Sequence, residues 1–394
     1  MKYFILVFET NLPPKKYHHY EELVSTLKGI SEKWPNLTRL YTLSEKTAGG
    51  KELWVLQISK GVQKERALLK PMVKYIANMH GDETVGRELM LTFPEYLLRA
   101  YESDYNDDIK NLIDTTDIHI MPSMNPDGFD NPDGVKRQNW NGVDLNRNFP
   151  SWKDSRKPIN TLYATVEAET RSMMRWVLEN PFVLSINFHG GTLVASYPYD
   201  EIIPYKGQKS SYTPDHELFI KLANTYASNH PKMATGKGCS NYHFPNGITN
   251  GADWYSVRGG MQDFNYMYSN AFEVTVEVSC TKSPPENELA SHWRENRKSL
   301  VQFLGRVHIG VKGLVLDVNQ NPVKGAMISV EGNDKLVTTS ERGEYWRLLM
   351  PGSYRIMAKA RGGLFSSTHN VMIASNKTIR LDLTLDQDSN GPIA

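Results

Sequence analysis

Net charge and cysteine are both scarce in this chain of 394 residues. Its 45 basic and 44 acidic residues leave a formal charge of +1, so electrostatics gives no ground for a nucleic acid or a membrane surface as partner. Only Cys239 and Cys280 are present, and their spacing fits no zinc pattern. They are two buried thiols in a reducing compartment or one disulfide in an oxidising one. No run of about 18 apolar residues occurs, so no stretch is suited to span a bilayer as a helix. The opening "MKYFILVFETNLPP" has six apolar residues after Lys2. That is short of the roughly 7–15 of a secretory signal core, and no A-x-A cleavage site follows. It fits an ordinary strand or an alternative start. Solenoid-type repeats are also missing.

What is present is ordinary for a globular protein: 40% apolar and 23% charged residues, in a length that suits two domains. Up to about residue 307, helical and strand patterns alternate. "YEELVSTLKGISEKW", "TVEAETRSMMRWVLEN", "DHELFIKLANTYASNH" and "NELASHWRENRKSLVQFLGRVH" have helical spacing, as does "TVGRELMLTFPEYLLRAYESD", in which Pro94 predicts a kink. "PMVKYIANM", "DIHIMPSMNPDG", "FVLSINFHGG" and "AFEVTVEVSC" read as strands. This alternation predicts an α/β fold, with a mixed, mostly parallel sheet flanked by helices. After His308 short alternating runs broken by NQNP, EGND, ERGE and PGS predict a small all-β sandwich. Its scattered Lys and Arg read as a solvated face. The expected division is 15–307, 308–386 and a loose tail, 387–394.

The chemistry-bearing positions gather where strands end. His80 and Glu83, in "HGDE", follow one buried strand and precede a helix. Ligands of open α/β sheets collect outside the carboxyl ends of strands, and His with Glu can supply N and O donors to Zn²⁺. Alone, the pair also reads as a polar turn with Glu83 favouring the helix N-terminus. His189 ends a second buried strand, and two His and one Glu match a catalytic zinc site of three protein ligands plus water. A general base is sought on "FEVTVEVSC", where Glu273 and Glu277 share a face and periodicity cannot choose between them. Arg137, Asn146 and Arg147, in "KRQNWNGVDLNRNFP", suit a carboxylate or oxyanion, although a single Arg in a polar loop is more often a surface residue.

The stretches "HGDETVGRELM", "NPDGF", "VDLNRNFP", "NFHGGTLVASYPYD", "GITNGADWY", "GGMQDFNY" and "FEVTVEVSCTKSP" together resemble the zinc metallocarboxypeptidases of the carboxypeptidase N/E-type branch. Within that branch the likeness is to one catalytic unit of the carboxypeptidase D type, with its trailing transthyretin-like domain. The resemblance implies one Zn²⁺ held by His80, Glu83 and His189, with Glu277 as base. It implies Arg137 as oxyanion stabiliser, Asn146 and Arg147 as the grip on a C-terminal carboxylate, and Tyr255 as a mobile cover. Asp200 and Gln262 would select a terminal Lys or Arg. The activity implied is removal of those residues from peptides and proteins by a monomer. The alternative is a catalytically silent peptide-binding or adhesion module on the same fold, but silent members lack ligands, base or Arg, and here all are present. The resemblance also implies a Cys239–Cys280 bridge and a secretory or extracellular location. Two N-x-[ST] sequons, Asn36 and Asn376, agree with that location, while the N-terminus argues for a cytosolic form. The β-sandwich carries no catalytic constellation and reads as a folding or docking module.

Overall fold

A computed structural model describes residues 13–103, 106–203, 211–240, 242–375 and 377–386. Asn376 and the predicted tail 387–394 lie outside them. Eight strands form one sheet: β1 (Thr38–Thr42), β2 (Trp54–Ile58), β3 (Met72–Ala77), β4 (Asp117–Met121), β5 (Phe182–His189), β6 (Thr192–Tyr197), β7 (Ile248–Asn250) and β8 (Phe272–Ser279). Their order is β1-β2-β4-β3-β5-β8-β6-β7. β4, β3, β5 and β8 run parallel, with antiparallel pairs toward both edges. β3 and β5 are buried along their whole length, as strands covered on both faces must be.

The helices α1 (Tyr20–Lys33), α2 (Val85–Glu102), α3 (Asp107–Thr115), α4 (Ala168–Glu179), α5 (His216–Ala227), α6 (Met261–Tyr268) and α7 (Leu289–Leu304) divide between the two faces. Val73, Tyr75 and Ala77 of β3 point into a core with α1, α2, α3, α5 and α7, while Met72 and Ile76 point into a second core with α4 and α6. Helix α2 runs through Pro94 without interruption, and Phe93, Pro94 and Leu97 are all buried there. Burial in the core offsets the missing backbone donor, and the predicted kink does not break the helix.

On the second face, pairing aligns polar side chains in rows. Lys74, Ser185 and Glu273 are neighbours across β3, β5 and β8. The Glu273 carboxylate takes Lys74 Nζ at 2.9 Å and Asn265 Nδ2 at 2.7 Å, and bonds Ser185 Oγ. Two rows further along, His189 is paired with Glu277. The two glutamates share a face but stand about 13 Å apart along the strand, one inside the core and one at its carboxyl end.

Strands β9 (Gly310–Asp317), β10 (Met327–Val330), β11 (Asn333–Thr338), β12 (Glu344–Arg347), β13 (Gly352–Lys359), β14 (His369–Ile373), β15 (Thr378–Arg380) and β16 (Leu383–Leu385) build the predicted sandwich. One sheet has the order β11-β10-β13-β14; the other is β12-β9-β15, with β16 also on β9. β12 serves both domains, since Tyr345 packs in the sandwich core and Trp346 in the larger one. The reading of this domain's scattered Lys and Arg as a solvated face does not hold at Arg347 and Lys335. Arg347 is fully buried and donates from Nη2 to Asp215 Oδ1 at 2.7 Å. Lys335 is 8% exposed and bonds carbonyls of the larger domain. Both were misread because lysine and arginine are mostly exposed, and only a docking partner reveals otherwise.

Removing one partner of a buried ion pair leaves the other charge unpaired, at a cost of about 3–5 kcal/mol. Arg347→Met is therefore expected to lower unfolding stability by about that amount in urea titration; a loss under about 0.5 kcal/mol, the usual range for surface substitutions, would show the pair to be incidental.

Candidate metal centre and active site

The turn after β3 is built by Asn78 and Gly81. Asn78 takes a left-handed conformation, with φ of 55°, and its Nδ2 donates to the carbonyls of His80, Gly81 and Glu83 at 2.9, 3.1 and 3.3 Å. A side chain at Gly81 has no room, since its Cβ would lie 2.4 Å from the Lys136 carbonyl oxygen. The turn so held brings His80 Nδ1 to 2.9 Å and His189 Nδ1 to 2.8 Å from the same oxygen, Glu83 Oε2. The two imidazole nitrogens are 3.1 Å apart. Three donor atoms of a tetrahedral zinc centre with bonds of about 2.0–2.1 Å are separated by about 3.3 Å, so the set is spaced to hold one Zn²⁺. All three residues are buried.

The outer atoms of these residues are also engaged. Glu83 Oε1 lies 3.0 Å from Arg137 Nη1 and 3.2 Å from Lys282 Nζ, leaving Oε2 to face inward. The Asn187 amide lies 2.8 Å from His189 Nε2, and Asp144 Oδ1 lies 2.9 Å from His80 Nε2. A partner on the far nitrogen fixes the tautomer and turns the near lone pair toward a metal. Burial opposes the charge on Glu83, yet the two imidazoles hold its carboxyl well below the usual range. Burial also pushes His189 down. For His80 the Glu83 charge and the Asp144 bond outweigh burial, and the net shift is upward.

Asp144 is the functional residue the sequence reading missed, although it lies inside "VDLNRNFP". Its Oδ1 takes His80 Nε2 and the Asn146 backbone N–H, each at 2.9 Å, and its Oδ2 takes Arg137 Nε at 3.0 Å. One carboxylate thus orients the metal turn, the guanidinium and the loop of Asn146. Despite burial, His80 and then Arg137 depress its pKa. A signal existed in the acid standing two residues before Asn146 and seven after Arg137, but its bond to His80, 64 residues away, is visible only in the fold.

Glu277 and Glu273, left open by periodicity, are distinguished by depth. Glu277 lines the cleft, and its Oε2 is buried without a hydrogen-bond partner. Burial, then the Glu83 charge, push its carboxyl well above the ordinary range. The same cleft is lined by His80, Glu83, His189, Arg137, Asn146, Arg147, Tyr255 and Asp200. Arg147 is exposed and bonds the Asn146 carbonyl at 2.9 Å. Tyr255 stands 47% exposed against Trp254.

Gln262 does not line the cleft. It is buried behind Asp200, donating from Nε2 to Asp200 Oδ1 at 2.9 Å and accepting from Thr275 N–H at 2.7 Å. Asp263 takes the backbone N–H of Asp200 and of Glu201 at 2.8 and 2.9 Å. Burial, then the Asp263 charge, raise the Asp200 pKa. Gly251 also escaped the sequence reading; a Cβ there would come within 1.8 Å of Asp200 Oδ1, so its bareness makes the space for this carboxylate. Cys239 and Cys280 are bridged, with Cα atoms 5.5 Å apart, and tie a loop to the end of β8. Asn36 is exposed in the turn after α1.

A zinc-type ligand set, an unpartnered buried carboxylate and an arginine-lined cleft at the carboxyl ends of an α/β sheet define a metallohydrolase. The zinc carboxypeptidase family profile matches residues 23–299, and a carboxypeptidase regulatory-like domain matches residues 310–386. The chain belongs to the zinc carboxypeptidase family and is a metallocarboxypeptidase. It is 45% identical over 383 residues to the carboxypeptidase N catalytic chain of Mus musculus, covering 88% of this chain and 81% of that one. It is 42% identical over 390 residues to carboxypeptidase D of Drosophila melanogaster, covering 96% of this chain and 27% of that one. The likeness is thus shared between the N and D types. The crystal structure of thrombin activatable fibrinolysis inhibitor shares the fold, with a TM-score of 0.60 at 20% identity over 75% of this chain and 76% of that one.

Partners behind metal ligands typically contribute 10–100-fold in affinity. Asp144→Ala is expected to weaken zinc binding by about that factor in a competition titration with a chromogenic chelator. Wild-type affinity in the variant would remove Asp144 from the metal site.

Proposed function

We propose that this chain is a zinc-dependent exopeptidase that removes C-terminal Lys or Arg from peptides and proteins. The observation that carries the reading is the buried Asp200 carboxylate in the same cleft as Arg147, the His80–Glu83–His189 cluster and Glu277. An exopeptidase must bind a terminal carboxylate. Arg147 supplies the charge, and Asn146, whose Oδ1 is engaged by Met261 N–H at 3.0 Å, keeps Nδ2 to donate. Asp200, held by Gln262, offers an acceptor for a terminal guanidinium or ammonium group. A small or apolar end leaves this buried acid unpaired and is disfavoured.

Bound zinc would polarise the scissile carbonyl and acidify a water. Glu277 takes the proton of the attacking water on Oε2 and returns it to the departing amine nitrogen. Arg137 has Nε and Nη1 committed to Asp144 and Glu83, which leaves Nη2 to donate to the oxygen on which charge develops. Tyr255, on the exposed rim, closes over the bound end. We assign residues 15–307 to the catalytic unit and 308–386 to the sandwich it carries, and read the protein as a monomer. The formed Cys239–Cys280 bridge and the exposed Asn36 sequon support a secretory or extracellular setting, with glycan on Asn36. No helix among the described residues is long and apolar enough to cross a membrane.

A blocked dipeptide ending in Arg is expected to be cleaved far faster than one ending in Phe, and a chelator to abolish both reactions. Glu277→Gln is expected to lower kcat by about 10²–10⁴-fold with KM little changed. Asp200→Ala is expected to reduce the Arg-over-Phe preference by on the order of 100-fold. Binding of Arg-ended peptides without chelator-sensitive hydrolysis would favour the silent module instead.

A further inference from the structure

Helix α6 joins the specificity pocket to the β-sandwich. It is only eight residues long, too short to be stable by its own hydrogen bonds. Its first turn lies behind the cleft wall, where Met261 N–H bonds Asn146, Gln262 bonds Asp200, and Asp263 takes the Asp200 and Glu201 amides. Its last turn faces the other domain. Lys335, on β11, donates from Nζ to the carbonyls of Tyr266 and Ser269, the second at 2.8 Å. The final carbonyls of a helix have no partner within it, and the Lys335 donor supplies one to two of them, although burial lowers its pKa to about 7.

The hairpin that delivers Lys335 is itself fastened. Asn333 Nδ2 donates to the Pro214 carbonyl at 3.1 Å and to Asp215 Oδ1 at 2.9 Å. Asn270, two residues past α6, exchanges two bonds with Thr338, its Nδ2 to the carbonyl at 2.8 Å and the Thr338 N–H to its Oδ1 at 2.9 Å. β11 is an edge strand of its sheet, and this exchange covers the edge.

We propose that Lys335 of the β-sandwich is a positioning residue for substrate selectivity: it fixes the C-terminal end of α6, so that Gln262 and Asp263 on the first turn hold Asp200 where a basic side chain must be met. Lys335 lines no part of the catalytic cleft and is not itself catalytic. The proposal rests on the reading of Asp200 given above.

The ratio of kcat/KM for Arg-ended over Phe-ended dipeptides does not depend on how much of the enzyme is folded. In the full chain, Lys335→Met is expected to lower that ratio about three- to tenfold, through a higher KM for the Arg substrate at nearly constant kcat. Lys335→Arg is expected to restore it. An unchanged ratio in Lys335→Met overturns the proposal, as does an equal fall in kcat/KM on both substrates. Should Lys335→Met fail to fold, Asn333→Ala, which loosens the hairpin, carries the same readout. Asp200→Ala is measured alongside. If it leaves the ratio untouched, the reading of Asp200 fails, and hydrogen exchange at residues 262–268 then decides on Lys335. Faster exchange in Lys335→Met supports the clamp on α6, and identical protection removes it.

Discussion

In-register pairing of β3, β5 and β8 is the constraint from which the site follows. Parallel strands with period-two side chains force residues on one face into rows, and a slip of one residue would turn every one of them to the opposite core. Here the rows begin with Lys74, Ser185 and Glu273 in the interior and end with His189 beside Glu277. The interior row is a neutralised polar cluster that fixes the register; the terminal row carries the chemistry. A ligand histidine and a candidate base become neighbours through backbone pairing, before any side-chain contact is made.

Charge in the cleft is arranged so that each acid has a different fate. Glu83 is kept ionised by two imidazoles, with Arg137 and Lys282 on its outer oxygen. Asp144 is kept ionised by His80 and Arg137. Glu277, buried without a bonded cation and facing the Glu83 charge, has its carboxyl pushed well above the ordinary range. Groups whose surroundings drive their pKa values apart are the ones that divide acid and base roles. The same low-dielectric surroundings that impose this cost also strengthen each remaining interaction.

The sequence made some of this legible and hid the rest for physical reasons. β3 and β5 were readable because strands buried on both faces are continuous apolar runs, and a His at the end of such a run stands out. β1 and β2 were passed over: "TRLYT" and "WVLQI" are five-residue edge-side strands whose patterns carry little signal. Glu273 and Glu277 were indistinguishable by period, since only depth along β8 separates them. Asp144 and Gly251 matter through what approaches them from distant segments, in one case the His80 imidazole and in the other the Asp200 carboxylate. Lys335 and Arg347 looked like surface because composition says nothing of the domain that covers them. The ligand set and the arginines stood out by their chemistry at strand ends and in one polar loop, whereas Tyr255, Asp200 and Gln262 were named through family likeness, which periodicity alone could not have supplied.

Strand β12 has a consequence for how such a chain can be shortened or rearranged. Trp346 and Leu348 complete the core of the larger domain, while Tyr345 and Leu349 complete the smaller one. Cutting between the domains would therefore strip apolar side chains from one hydrophobic core and uncover an edge strand of the other half. The inseparable piece, the one that gene duplication or fusion must copy whole, is the catalytic sheet together with its sandwich.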